Sequence, residues 1–208
     1  SDALTNFQQL IKQFPNSQES DEAVDYVRSI FVENQRPAEF VTFMRQNGKD
    51  VSYSEEDSLT YVSANIAYGN KSYETALRGF NDYLTKFPDG RYAVDANYQS
   101  AGILYDKKDF SNALKYYARV AEKAPNKYAE QSVLQCARIN YFELKDYKQA
   151  ELYFAQLKSI AVTPENKQES MRGLLRCQYK LNEWSDAVVN AQDLLQEKNA
   201  ATDDKMMA

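Results

Sequence analysis

The chain has 208 residues, 43% of them apolar, and its 25 Lys+Arg against 30 Asp+Glu give a formal charge of −5. It contains no His, six Gly and two Cys, which removes histidine acid–base chemistry, His-ligated metals, a four-thiolate metal site and a glycine-rich phosphate loop. The isoelectric point near 5.0 argues against a dedicated nucleic-acid surface, and no run approaches the ~18 apolar residues of a membrane-spanning helix.

In chain order, Ala3, Leu4 and Phe7 followed by Phe14-Pro15 predict a helix over 1–15 that ends at the proline. Residues 18–33 carry Ala23, Val24, Val27, Ile30 and Phe31 at helical spacing and predict a second helix. Residues 37–47 predict its partner, with Pro37 in the first turn, where the missing N–H costs nothing. Asn47-Gly48 ends that helix, and the loop over 48–54 is expected to be the most mobile segment. From residue 55 to residue 199 the pattern becomes periodic. Beyond it, 200–208 is polar and reads as a frayed tail.

The period is 37 residues. Ala76, Ala113, Ala150 and Ala187 recur at that interval. Three residues before each stands an aromatic: Tyr73, Phe110, Tyr147 and Trp184. Eight before stand Tyr68, Tyr105, Phe142 and Tyr179; four after stand Phe80, Tyr117, Phe154 and then Ala191. Pro88 and Pro125 close the first two copies and Pro164 lies near the third closure. Within a copy, Val133, Leu134, Ala137, Tyr141 and Leu144 mark one helix face. Asp146, with Gln149 three residues on, marks the start of the next helix. Two helices of this length cannot bury both faces alone, and stacking successive pairs solves that problem. The small alanine lets the paired helix approach, and the aromatic one turn later fills the space beyond.

The pattern Tyr68…Tyr73-x-x-Ala76-x-x-x-Phe80…Pro88, repeated from Tyr105, Phe142 and Tyr179, resembles the tetratricopeptide repeat. The usual unit is about 34 residues. The extra residues here fall in the turn after the proline, Phe87-Pro88-Asp89-Gly90-Arg91-Tyr92-Ala93, which is similar to the long repeats of bacterial cell-envelope members. The resemblance implies an all-α fold, a right-handed α-α superhelix (a solenoid of such repeats) of about 11 antiparallel helices. Residues 1–15 then read as the second helix of a truncated repeat, 18–54 as a degenerate repeat and loop, and 55–199 as four repeats. In the degenerate copy Phe40 stands where Ala76 stands and Met44 where Phe80 stands, which predicts a wider helix pair. Since the chain opens inside a copy, it is expected to be a piece of a longer protein.

A superhelix of this kind has a concave groove lined by the first helices. Shifting by 37 gives its columns: Tyr61, Tyr98, Gln135 and Arg172; then Asn65, Gly102, Ile139 and Arg176; then Tyr68, Tyr105, Phe142 and Tyr179. The expected partner-binding groove is therefore Tyr61, Asn65, Tyr68, Tyr98, Tyr105, Gln135, Phe142, Arg172, Arg176 and Tyr179. Tyr61 and Tyr98 are expected to be exposed in it. The Tyr68 column is either groove or packing between repeats. Arg172 and Arg176 either meet a carboxylate or form a solvated basic face. In the column Ala64, Ala101, Arg138, Leu175 the arginine replaces a small residue. Its stem is expected along the core with its head at an edge, or lining a ligand site. Cys136 and Cys177 read as free, buried thiols.

Charge is uneven: residues 1–104 carry 15 acids and 9 bases, and residues 105–208 carry 15 and 16. The expected function is a non-catalytic scaffold that binds another protein or a peptide, with no cofactor, no metal, no nucleic acid and no membrane insertion. An accessory repeat domain of a larger enzyme and a helical-repeat RNA binder are the alternatives. The resemblance favours a periplasmic or cell-envelope location and leaves a cytoplasmic one open.

Overall fold

A computed structural model describes residues 2–196, and the tail expected over 200–208 lies outside them. Among the described residues every regular element is helical. The chain divides into two compact units, residues 1–96 and 97–208.

The first unit contains α1 (Asp2–Gln13), α2 (Gln18–Glu33), α3 (Pro37–Gln46), α4 (Tyr53–Gly69) and α5 (Tyr73–Lys86). Each helix packs on the next through α4 and α5, and α2 also packs on α4. Ser17 caps α2 by accepting from Ser20 N at 3.1 Å, and Ser52 caps α4 by accepting from Glu55 N at 3.1 Å. Ile11, Val27, Phe31, Phe40, Val41 and Val51 are among the buried residues of one core. The linker before α4 ends two residues sooner than the sequence suggests, and burial of Val51 pins it. Phe40, at the column that holds alanine elsewhere, is fully buried. It lies 6.4 Å from the Phe31 ring and 5.6 Å under the Arg28 guanidinium, so a cation and an aromatic replace a small-residue contact.

Helix α6 (Ala93–Asp106) follows, its last ten residues lying in the second unit with α7 (Phe110–Glu122), α8 (Ala129–Arg138), α9 (Tyr147–Ile160), α10 (Pro164–Leu181) and α11 (Trp184–Gln196). Helix α8 continues without a break into a π-helical segment, Ile139–Leu144. Consecutive helices from α7 to α11 pack on one another, and α8 also packs on α10. Asp109 caps α7 and Asp146 caps α9, the latter accepting from Gln149 N at 3.0 Å as the sequence predicts. Pro164 plays a different part from the one expected. It opens α10 behind the Thr163 cap instead of closing α9.

The hairpins share one backbone device. Gln35, Lys71, Lys108, Lys145 and Asn182 adopt positive φ of 58–62°, at intervals of 36, 37, 37 and 37 residues. In four of the five the next amide reaches back five residues: Arg36 N to Phe31 O, Ser72 N to Ala67 O, Asp109 N to Leu104 O and Glu183 N to Gln178 O, all at 2.8–2.9 Å. In the fifth, Asp146 N reaches back six residues to Asn140 O at 2.9 Å, because of the π-helical turn. The recurring alanines Ala76, Ala113 and Ala150 are fully buried, and Ala187 nearly so.

The long turn after α5 is held by a buried polar network. The Tyr83 hydroxyl donates to Asp57 Oδ1 at 2.6 Å and accepts from Tyr92 N at 2.9 Å. Arg91 N donates to Asp57 Oδ2 at 2.9 Å. Burial, and then the Asp57 hydrogen bond, push the Tyr83 phenol well above its ordinary pKa. A Cβ on Gly90 would stand 2.5 Å from the Tyr83 hydroxyl, so only glycine fits there. Next to Asp57, the buried carboxylate of Glu56 pairs with Arg45 at 3.1 Å and with Lys86.

Three substitutions test the packing and the turns. A Cβ on Gly173 would lie 2.4 Å from the Phe154 ring. Gly173→Ala should therefore lower stability by about 1–2 kcal/mol in urea unfolding, although alanine is the better helix former. An unchanged midpoint would mean that the ring can slide aside. Lys108→Gly relieves a left-handed residue and should stabilise by roughly 0.5 kcal/mol. The same exchange inside a helix, Lys115→Gly, should cost about 1 kcal/mol.

Candidate partner-binding surface

The first helices place the predicted columns differently from the simple shift of 37. Tyr61 is only 9% exposed. It is tilted against Phe80 at 5.9 Å and stacks on Tyr92 at 4.4 Å, with the rings 4° from parallel. Tyr98 is half-buried and stacks on Tyr128 at 4.0 Å and 5°. The two tyrosines expected to be exposed are thus covered by the tyrosine of the following turn, and their flat faces contribute to packing. In each case a cation covers the outer tyrosine: Arg91 lies 5.5 Å from the Tyr92 ring and Lys127 lies 4.6 Å from the Tyr128 ring.

The Tyr68 column forms a second contact. Tyr68 meets Tyr73 at 5.8 Å, Tyr105 meets Phe110 at 5.4 Å and Tyr179 meets Trp184 at 5.4 Å, each edge to face. In the third copy the residue that does this is Tyr141, which meets Tyr147 at 5.3 Å. Phe142, assigned to the column by spacing, is 45% exposed and touches Tyr141 from outside at 4.8 Å.

The register explains the difference. Helix α6 begins at Ala93 and α8 at Ala129, 36 residues apart. The pairs Ser100/Cys136, Ala101/Ala137 and Leu104/Asn140 then match, and all six are buried. The small-residue column therefore continues at Ala137, and Arg138 is its half-buried neighbour, paired with Glu169 at 3.4 Å. The Tyr61 column continues at the buried Leu134, so Gln135 lies one position off it and is half-buried. One residue is missing from the turn before α8 and one extra residue appears after Tyr141. Three residues, Phe142-Glu143-Leu144, separate Tyr141 from the left-handed Lys145, where the other copies have two. The surplus is absorbed as the π-helical turn, and the buried Asn140 amide donates to Cys136 O at 2.8 Å where the hydrogen-bond ladder changes.

Of the remaining predicted residues, Asn65 is half-buried on α4 in the first unit. Arg172 pairs with Glu169 at 3.6 Å, so it shares that carboxylate with Arg138. Arg176 and Tyr179 come together. With Tyr141, Leu175 and Lys180 they line a cleft of about 360 Å³. Tyr179 is 63% exposed, and Trp184 against it is 53% exposed. Burial holds the Tyr141 phenol above its ordinary pKa, opposed by the nearby positive charge of Arg176. Spacing by 37 also puts Lys180 beside Tyr179 on the groove, and passes over Tyr141, Leu175 and Trp184 as site residues. The signal for Tyr141 was Asn140, a polar residue in a column otherwise filled by Ile66, Ile103 and Cys177. A second cleft, about 290 Å³ in the first unit, is lined by Thr60, Ser63, Arg78, Asp82 and neighbours, with no aromatic side chain.

Cys136 and Cys177 are free and buried, and burial pushes both thiols up to about 12. Among the described residues no group of three or more His, Cys, Asp or Glu is placed to hold a metal ion. No helix among them is long and apolar enough to cross a membrane.

A family model described as Tetratricopeptide repeat matches residues 1–17 and 95–127. No curated protein matches the chain. Among solved structures, the apo form of RapI shares 13% identity, with a TM-score of 0.50 over 98% of this chain and 61% of that one. The pilF protein of Pseudomonas aeruginosa shares 14% identity, with a TM-score of 0.47 over 99% of this chain and 96% of that one. The human IFIT1 dimer with PPP-AAAA shares 16% identity, with a TM-score of 0.45 over 98% and 46%. The chain thus carries tetratricopeptide-repeat matches at residues 1–17 and 95–127, and its fold is an all-α array of paired helices of the kind such repeats form.

With both thiols raised to about 12, only roughly one in ten thousand is thiolate at pH 8. Ellman's reagent should therefore leave the native protein unlabelled over minutes and titrate both thiols at once in guanidinium. Rapid labelling of the native protein would mean that α8 and α10 open readily.

Proposed function

We propose that this chain is a non-catalytic interaction module that holds a segment of another polypeptide against the first helices of its last two repeats. The observation that supports the reading is the cleft of Tyr141, Leu175, Arg176, Tyr179 and Lys180, flanked by exposed Phe142 and Trp184. Aromatic side chains beside a guanidinium are what binding hot spots are made of, since they give large contact area for little lost freedom. The reading is also supported by chemistry. The thiols are held protonated, and the chain has no histidine to act as a base. Asn65 and Tyr68, in the first unit, are not among the residues that line this cleft. The long turn after Pro88 supports placing the module in a bacterial cell-envelope protein.

Display of random 16-residue peptides, followed by calorimetry on the selected sequences, tests this. Binding should fall at least tenfold in Tyr179→Ala and Trp184→Ala, with the unfolding midpoint held within a degree or two. Equal affinity in both variants would remove the site. Binding to single-stranded RNA that collapses steeply between 50 and 200 mM salt would favour the RNA-binding alternative instead.

A further inference from the structure

Resting on that reading, we propose that the π-helical segment 139–144 makes the cleft selective for an acidic segment bearing an apolar anchor: Phe142 receives the anchor, and Arg176 with Lys180 receives the carboxylates.

The charge argument comes from what surrounds the cleft. Arg176 and Lys180 are four apart on α10, so their heads emerge on one side of the helix. Both are exposed, and neither forms an ion pair among the described residues. The neighbouring cations are already matched. Arg138 and Arg172 share Glu169, Lys148 lies between Glu151 and Glu183 at 2.9 and 3.0 Å, and Lys158 pairs with Asp193 at 2.7 Å. In a chain of formal charge −5 two unmatched cations over an apolar cleft make a local positive site. Lys145, exposed at the end of the π-helical segment, adds a third cation, and Glu143 is the acid in that stretch.

The anchor argument comes from the register. In the other complete copies the tyrosine is followed by Gly69-Asn70, Asp106-Lys107 or Lys180-Leu181 before the left-handed residue. The third copy inserts an aromatic, and the π-helical turn keeps Tyr141 in the packing column while turning Phe142 outward. Phe142 and Leu144, both partly exposed, thereby present apolar surface, of which Phe142 has no counterpart in the other copies. Leaving them exposed costs hydrophobic free energy that a bound apolar side chain recovers. A one-residue surplus in a helix also commonly marks a functional position.

The test uses three pools of randomised 10-residue peptides with a central Phe or Leu, flanked by Asp/Glu, by Asn/Gln or by Lys/Arg. The acidic pool should bind at least tenfold more tightly than the neutral pool at 50 mM salt and lose most of that advantage at 300 mM. Arg176→Gln with Lys180→Gln should abolish the preference for acid. Deleting Phe142 leaves Tyr141-Glu143-Leu144-Lys145, which matches Tyr179-Lys180-Leu181-Asn182. It should restore an α-helical turn without lowering the unfolding midpoint, yet weaken binding of the acidic pool about tenfold while leaving its salt dependence. If that deletion does not fold, Phe142→Ser carries the same expectation. Equal binding of the acidic and neutral pools, or unchanged affinity in the Phe142 variants, overturns this inference and leaves the module's general role standing. If no pool binds at any charge, both fail.

Discussion

The left-handed residue that closes each hairpin is the constraint on which the other contacts depend. At each, the following amide bonds to a carbonyl five residues earlier, or six in the third complete copy, which fixes the phase of the second helix against the first. With that phase set, the residue five positions later, alanine in four of the five hairpins, lands buried, and in three of them the aromatic four beyond it, Phe80, Tyr117 or Phe154, is buried as well. The device needs no glycine. Gln35, three lysines and Asn182 all adopt it, which means that the surrounding packing carries a backbone cost of about 1 kcal/mol at each turn. The gain is a hairpin whose geometry is the same in every copy, so that pairs can stack.

Much of this was legible in the sequence, because it depends on spacing. The bounds of α2 follow from its apolar positions, and Pro37 opens α3 as expected. The four alanines mark four second helices. What spacing could not show is where a side chain goes when two neighbours compete for one place. Tyr61 and Tyr98 look like groove residues because they recur on a first helix, but each has a turn tyrosine, Tyr92 or Tyr128, that lies flat upon it. The stacking joins residues about 30 positions apart, and no local pattern announces it. Pro164 misled for a related reason, since a proline serves equally to stop one helix and to start the next.

Copies with the same backbone differ in what they bury. In the first unit Asp57, Tyr83 and two turn amides form a satisfied polar cluster, with Gly90 as the one residue small enough to close over it. One period later the corresponding positions are Val94 and Val120. A polar network needs every member present, because an orphaned carboxylate in that place would cost several kcal/mol, whereas valines at those positions leave no side-chain polar group to satisfy. The two solutions are therefore all-or-nothing alternatives at one site in the repeat. A repeat family recognised from its small and aromatic columns is silent on which of them a given copy has adopted.

The third copy shows how such an array acquires individuality without losing its period. The residue missing from the turn before α8 puts the numbering of everything after it one place out of phase with the 37-residue period. A residue gained after Tyr141 restores the phase, so the distance from Ala113 to Ala150 stays at 37 and the alanine count hides both changes. Between the two compensating points the whole of α8 is read one residue out of step, which is why spacing assigned Arg138 to the place of Ala137 and Phe142 to the place of Tyr141. The stacking contacts of the pair tolerate this because Tyr141 still meets Tyr147 and Phe154. The cost is confined to one turn of weaker helix, repaired in part by the Asn140 amide. What the chain gains is an exposed aromatic side chain, Phe142, placed outside the packing column that Tyr141 fills.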